Sequence, residues 1–306
     1  AFTWVGVLLF LLPLLIAQQL GSLAIRGGPA DPSRRRAFGR LVVLASGGAS
    51  VVLGGAATAI AHLPVEIRRV RVPLAKLPRE ARGYRIAQIS DVHVSATIGR
   101  ARVEELVARV NALAPDLIAI TGDLVDGSVK ELGALVAPLA QLRARDGVWF
   151  VTGNHEYLSG AGEWLAHLAS LGVRVLRNEL VAMRGFDLAG IDDPAGADWI
   201  EGHGADLAKA LRSRDASRPT ILLAHRPDHV KEAARAGVAL QLSGHTHGGQ
   251  LAPIGWTLER IHQPYVCGLY RIGETTLYVT SGAGHWGPPM RLGTRAEIVL
   301  VELDAS

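Results

Sequence analysis

The sequence predicts a layered α/β domain preceded by two membrane-spanning helices. From Val65 onward, short apolar runs bounded by Gly, Asn, Asp or Pro alternate with stretches of helical periodicity. Upstream lie two uncharged runs, residues 2–20 (apolar from Phe2 to Ala17) and residues 41–63. Each is close to the roughly 20 residues a helix needs to cross about 30 Å of hydrocarbon. Polar clusters fall where the predicted strands end, which is where α/β sheets build their sites.

The elements follow in order. Val65–Val72 alternates like a half-exposed strand, and Tyr84–Ser90 reads as a buried strand ending at Asp91. A helix is expected over Arg100–Leu113, with Val103, Leu106, Val107 and Val110 on one face and Pro115 stopping it. Next come a strand at Asp116–Thr121, a helix at Val129–Leu142, a strand at Gly147–Thr152 and a helix at Gly162–Leu171. Strands at Val173–Leu176 and Phe186–Ile191 precede a helix at Ala205–Arg212, a strand at Thr220–Ala224, a helix at Asp228–Ala236 and a strand at Ala239–Ser243. Late strands are expected at Leu277–Thr280 and Ala296–Leu303. Three regions result: a membrane region at 1–63, a basic linker with the first strand at 64–85, and a catalytic domain at 86–306.

With 49% hydrophobic and 20% charged residues, the chain has the composition of one that buries a core, which excludes disorder as the main state. Residues 1–85 carry 12 Lys and Arg against 3 Asp and Glu, a net of +9, leaving 20 against 25, or −5, for the rest. The larger part therefore lacks the clustered cations of a nucleic-acid surface, and no nucleic acid is expected as partner. Arg26, Arg34, Arg35, Arg36 and Arg40 lie between the apolar runs with only Asp31 against them, and a short basic loop favours the cytoplasmic side. That places the catalytic domain outside the cytoplasm. Arg35-Arg36-Ala37-Phe38-Gly39-Arg40, followed by the apolar run and Ala59-Ile60-Ala61, resembles a twin-arginine export signal. Opposing this, Arg68, Arg69, Arg71, Lys76, Arg79 and Arg82 follow the second run and are suited to a collar against anionic head groups. The chain begins with Ala, so it is expected to start inside a longer precursor.

Five polar clusters carry the chemistry: Asp91-Val92-His93, Gly122-Asp123-Leu124-Val125-Asp126, Gly153-Asn154-His155-Glu156, His225, and Gly244-His245-Thr246-His247-Gly248-Gly249-Gln250. Asp91 and His93 are two apart, as are His245 and His247, so in extended chain each pair projects to one side. Two facing pairs can hold two ions, and divalent ions about 3.5–4 Å apart are a known device for phosphoester hydrolysis. A bridging carboxylate is then wanted between the cations, and Asp123 is the natural candidate. The single cysteine, Cys267, rules out a cysteine-ligated zinc site; imidazole and carboxylate accept Mn, Fe or Zn alike.

In this order, the clusters resemble the calcineurin-like metallophosphoesterase superfamily over residues 86 to about 303. The basic stretch, the hydrophobic segment and the wording of Gly244–Gln250 are similar to membrane-associated bacterial members of the kind called YkuE or YaeI. The resemblance implies a four-layer α/β/β/α sandwich. It implies one ion on Asp91, His93 and His247, a second on Asn154, His225 and His245, and Asp123 bridging. Catalytic roles fall to His155 and Asn154, and a hydroxide shared by the ions serves as nucleophile, so no Ser or Cys is required.

The expected function is a monomeric, membrane-anchored phosphodiesterase acting on a lipid- or envelope-linked phosphoester. The alternatives are a UDP-2,3-diacylglucosamine pyrophosphate hydrolase, which requires a cytoplasmic site, and a non-catalytic scaffold of the same fold. Other residues carry blander expectations. Asp126 is read as a cap or turn residue in preference to a support for the site, Glu156 as a holder of a backbone amide, and His229 as a helix-capping or solvated residue. Trp149 is assigned to the core, Trp256 and Trp286 to a substrate groove or the membrane surface, and the 282–291 segment, with Arg291, to a turn that can reach the site.

Overall fold

The computed structural model describes residues 3–24 and 32–305. The chain folds as two compact units. One reaches to Leu63 and includes Gly287–Leu292; the other runs from Pro64 to Trp286 and resumes at Gly293.

In the first unit, helix α1 spans Thr3–Ala24 and α2 spans Pro32–Ala61. The second helix begins nine residues before the apolar run. Proline is favoured at a first helical position, where its missing N–H costs nothing. It stops before Pro64, which disfavours helix in the residue preceding it. Both are long and apolar enough to span a bilayer, and large side chains such as Leu12, Ile16, Leu44 and Val52 stand exposed. Arg26 and Asp31 lie outside the described residues, and the Arg34–Arg36 side chains are likewise not described.

The second unit holds twelve strands among the described residues: β1 (Glu66–Leu74), β2 (Arg85–Ile89), β3 (Leu117–Ile120), β4 (Val148–Phe150), β5 (Val173–Val175), β6 (Glu179–Ala182), β7 (Asp187–Gly190), β8 (Thr220–Leu223), β9 (Leu240–Ser243), β10 (Gly268–Ile272), β11 (Thr275–Val279) and β12 (Glu297–Ala305). They form two six-stranded sheets, ordered β1-β12-β2-β3-β4-β5 and β10-β11-β9-β8-β7-β6. Its helices are α3 (Arg100–Ala112), α4 (Val129–Val136), α5 (Asn154–Leu158), α6 (Ala161–Ser170), α7 (Gly196–Trp199), α8 (Leu207–Ala210), α9 (Val230–Arg235) and α10 (Ile254–His262).

Strand side chains point alternately to opposite faces, and here both faces are buried. Ile86, Leu117, Ala119, Trp149 and Val151 of the first sheet meet Leu188, Ile221, Leu223, Leu240 and Leu242 of the second. The intervening Ala87, Ile89, Ile118, Ile120, Val148 and Phe150 pack instead with Val103, Leu106 and Val110 of α3 and with Leu132 and Leu168 of α4 and α6. Leu222 and Ala189 pack with Leu207 and Ala233 of α8 and α9. The result is the expected α/β/β/α sandwich.

Several boundaries differ from the sequence reading. The helix expected to reach Leu142 ends at Val136 and continues as a 3₁₀ turn through Gln141, because the Pro138 ring clashes with a helical carbonyl four residues back. The helix at Ala205–Arg212 shrinks to α8, whose start is fixed by the Asp206 carboxylate accepting the Lys209 amide at 2.8 Å. Strands β6 and β10 have no counterpart in the sequence reading; both lie at sheet edges, where partial exposure blurs the apolar signal.

Phe186 is fully buried between the sheets, edge-on to Tyr84 with ring centroids 5.0 Å apart. Phe186→Ala should cost about 3–5 kcal/mol of unfolding free energy through the cavity it leaves. Urea unfolding followed by near-UV circular dichroism checks this.

Candidate metal centre

Strands β2, β3, β4 and β5 run parallel, as do β7, β8, β9 and β11. The loops leaving β2, β3, β4, β8 and β9 carry, respectively, Asp91 and His93, Asp123, Asn154 and His155, His225, and His245 and His247. Backbone bonds tie these loops together: the Asp91 amide donates to the Gly122 carbonyl, His93 to Asp123, and Gly244 to His225, at 2.9–3.1 Å. The fully buried Gln88 amide bridges the sheets, donating to Thr121 Oγ1 and to the Ser243 carbonyl, each at 3.0 Å.

Six of the seven sequence-predicted ligands fall into two close groups. Asp91, His93 and His247 present donor atoms within 4.8 Å of one another, and Asp123, His225 and His245 do the same. His225 Nε2 lies 3.1 Å from Asp123 Oδ2, while His93 Nε2 lies 3.0 Å from His247 Nε2. Asn154 Oδ1 is buried and has no hydrogen-bond partner among the described residues. A buried carbonyl left unpaired costs about 1–3 kcal/mol, which a cation at that oxygen offsets.

Hydrogen bonds on the far side of each ring fix which nitrogen faces inward. His225 Nδ1 donates to the Thr121 carbonyl at 2.7 Å, and His93 Nδ1 donates to Asp126 Oδ1 at 2.9 Å. His225 thereby turns Nε2 toward the Asp123 carboxylate and His93 turns Nε2 toward Nε2 of His247, close approaches that require a proton or a cation between the partners. The charge balance carries the same demand. Burial disfavours a charged His225, yet the Asp123 carboxylate outweighs it and raises the ring to about 10. Burial and the charge of His225 then depress His245 to about 3. Burial raises Asp91, whereas for Asp123 the opposing burial is overcome by His225, His93 and His155, which hold it well below the usual carboxylate range.

Backbone strain is concentrated here. Asp91, His93, Asp123, His245 and His247 all adopt φ between 50° and 76°, a left-handed conformation costing L-residues roughly 1–2 kcal/mol each. Gly153 cannot be replaced cheaply, because a Cβ there would overlap Asp123 Oδ1.

Two acidic residues support the cluster. Asp126 is not a capping residue: its Oδ1 accepts from both His93 Nδ1 and His155 Nδ1, the latter at 2.7 Å, and these bonds bring it to about 2 against the effect of burial. Glu156 holds backbone amides as expected, but three of them: Asp123 at 3.0 Å, Leu124 at 2.7 Å and Gly153 at 2.7 Å. Burial and the nearby Asp123 carboxylate push Glu156 up to about 7. Sequence reasoning also passes over Arg226, whose Nε is held at 3.0 Å by the buried Asp193 beside the His225 loop.

The remaining candidates separate. Gly284 and Ala283 donate their amides to the Asp91 and Ser90 carbonyls, so that loop reaches the site. Arg291 instead groups with the helical unit, its amide bonded to the Ala57 carbonyl at 2.9 Å. The Trp286 ring lies 6.2 Å from that of His155, Trp149 is buried in the core, and His229 makes no capping bond.

The calcineurin-like phosphoesterase family model matches residues 84–249, more than half of the chain and the stretch that bears all five loops. The chain belongs to the calcineurin-like phosphoesterase family. Among its relatives is a Bos taurus "Transmembrane protein with metallophosphoesterase domain", 43% identical over 79% of this chain and 58% of its own length. A Danio rerio protein of the same description is 38% identical over 99% of this chain and 72% of its own. The Bacillus subtilis metallophosphoesterase YkuE is 29% identical over 79% of this chain and 86% of its own. This calcineurin-like chain thus spans little more than half of the bovine relative.

Because Glu156 ties the loops of Asp123 and Asn154 together, Glu156→Gln places an N–H against backbone amides. It should weaken divalent-metal affinity about 10–100-fold, as loss of an outer-shell partner commonly does. Isothermal titration with Mn²⁺ measures this, and unchanged affinity contradicts the anchoring role.

Proposed function

We propose that the chain is a membrane-anchored, dinuclear metal-dependent phosphoesterase that hydrolyses a phosphodiester of a lipid- or envelope-linked substrate. The observation that carries this is the convergence of six carboxylate and imidazole side chains in two groups around unbalanced buried charge, beside the unpartnered buried Asn154 Oδ1. Asp91, His93 and His247 would hold one ion, Asn154, His225 and His245 the other, and Asp123 would serve both. Manganese, iron and zinc all suit this donor set. When bound, such a pair supplies Lewis acidity and an acidified water.

The chain's own groups do the rest. Asp126 fixes His155 by its Nδ1, so Nε2 remains to meet a phosphoryl or leaving-group oxygen. Burial opposes charging of His155, but the bond to Asp126 prevails and raises its pKa, which favours a proton donor. Glu156 holds the backbone of the Asp123 and Asn154 segments together through three amides. Membrane anchoring is supported by the two apolar helices and by the transmembrane relatives. The basic stretch preceding the second apolar run supports an extracytoplasmic catalytic unit.

Asp123→Asn and His245→Ala should each abolish hydrolysis of a bis-aryl phosphate with the circular dichroism spectrum unchanged, and turnover at the parental rate in either contradicts the assignment. Chelation should remove activity and lower the melting temperature, since loss of a ligand bound only by the native state lowers stability, and Mn²⁺ should restore both. For orientation, alkaline phosphatase fused to the C-terminus should be active; a fusion active only with a cytoplasmic reporter reverses the topology.

A further inference from the structure

Helix α10 follows the His245–His247 loop directly and has no buried residue. Trp256, Leu258 and Ile261 are 40%, 52% and 72% exposed. A soluble surface rarely exposes three large apolar side chains on one nine-residue helix. The polar groups are sorted as well: Glu259 turns inward to Gln263, while the Arg260 guanidinium lies over the Trp256 ring at 3.9 Å and His262 is exposed. Outward Trp, Leu and Ile beside an outward Arg make the composition of a helix lying in a lipid interface.

The occupant of this face follows from the rest of the chain. Only residues 62–65 join α2 to β1, so a bilayer crossed by α2 lies within about 18 Å of the start of β1 at full extension. The unit therefore works at a lipid surface, and the exposed Arg260 guanidinium of α10 suits anionic head groups. The helix is also joined closely to the site. Gly249, at φ 75°, and Gly255 meet backbone to backbone, and a Cβ on Gly249 would come within 2.5 Å of Trp256 Cα. Gln250 brackets Trp286 by accepting its amide at 2.9 Å and donating to its carbonyl at 2.8 Å.

We infer that α10 is a bilayer-docking helix that seats the metal centre at the head-group level, where a lipid phosphodiester reaches it. The substrate half of this inference rests on the hydrolase reading above; the docking half does not.

The test uses the full chain in phosphatidylcholine–phosphatidylglycerol vesicles, with Cys267→Ser as background and a spin label at Ile261→Cys or, as control, at Glu104→Cys. The label at 261 should be accessible to oxygen and shielded from a water-soluble nickel complex, with the reverse at 104. Equal access to nickel at both sites overturns the inference. Shielding of 261 from both reagents also overturns it, since a protein surface then covers the face. In parallel, Leu258→Asp with Ile261→Asp should lower turnover of an alkyl-tailed nitrophenyl phosphodiester held in the vesicles by about tenfold, through lost apolar burial. Turnover of soluble bis(nitrophenyl) phosphate should not change. Equal loss on both substrates contradicts docking. A parental chain inert toward both refutes the hydrolase reading instead, and label accessibility then decides docking alone.

Discussion

Two carboxylates buried among imidazoles set the terms for everything else in this molecule. Asp91 and Asp123 are almost completely removed from solvent, and unpaired ions in that position cost several kcal/mol apiece. The chain answers with four histidines, a network of amides and a demand for positive charge that one imidazole cannot meet alone. Asp123 pushes His225 up against the effect of burial, whereas burial and the charge of His225 push its neighbour His245 down. A pair of divalent ions would resolve the imbalance, and the left-handed backbone is concentrated at five of these residues.

The sandwich exists to hold those loops in register. Parallel strands deliver their C-terminal ends to one edge of each sheet, so the segments that leave them gather there. Gln88 links the two edges where an apolar contact would give no directional constraint. Glu156 and Asp126 then work one shell outward. One carboxylate gathers three amides from two loops, and the other shares a single oxygen between a ligand ring and His155. His155 is thereby coupled mechanically to His93.

Most of the frame is legible in the residues because both faces of its strands are buried, which leaves continuous apolar runs ending abruptly in polar clusters. The ligands are legible because their spacing is local: Asp91 with His93, His245 with His247. Asp126 is not, since its role depends on two rings whose positions in the chain are 33 and 29 residues away. Edge strands β6 and β10 escape notice because half of their side chains face water. Helix α10 has only nine residues and no buried stripe, so its periodicity carries no core signal.

The most direct measurement is anomalous diffraction from crystals of the chain grown with Mn²⁺. The account predicts two peaks, one bounded by Asp91, His93 and His247 and the other by Asn154, His225 and His245, with the Asp123 carboxylate contacting both. A single peak, or density for manganese only at surface carboxylates, contradicts it.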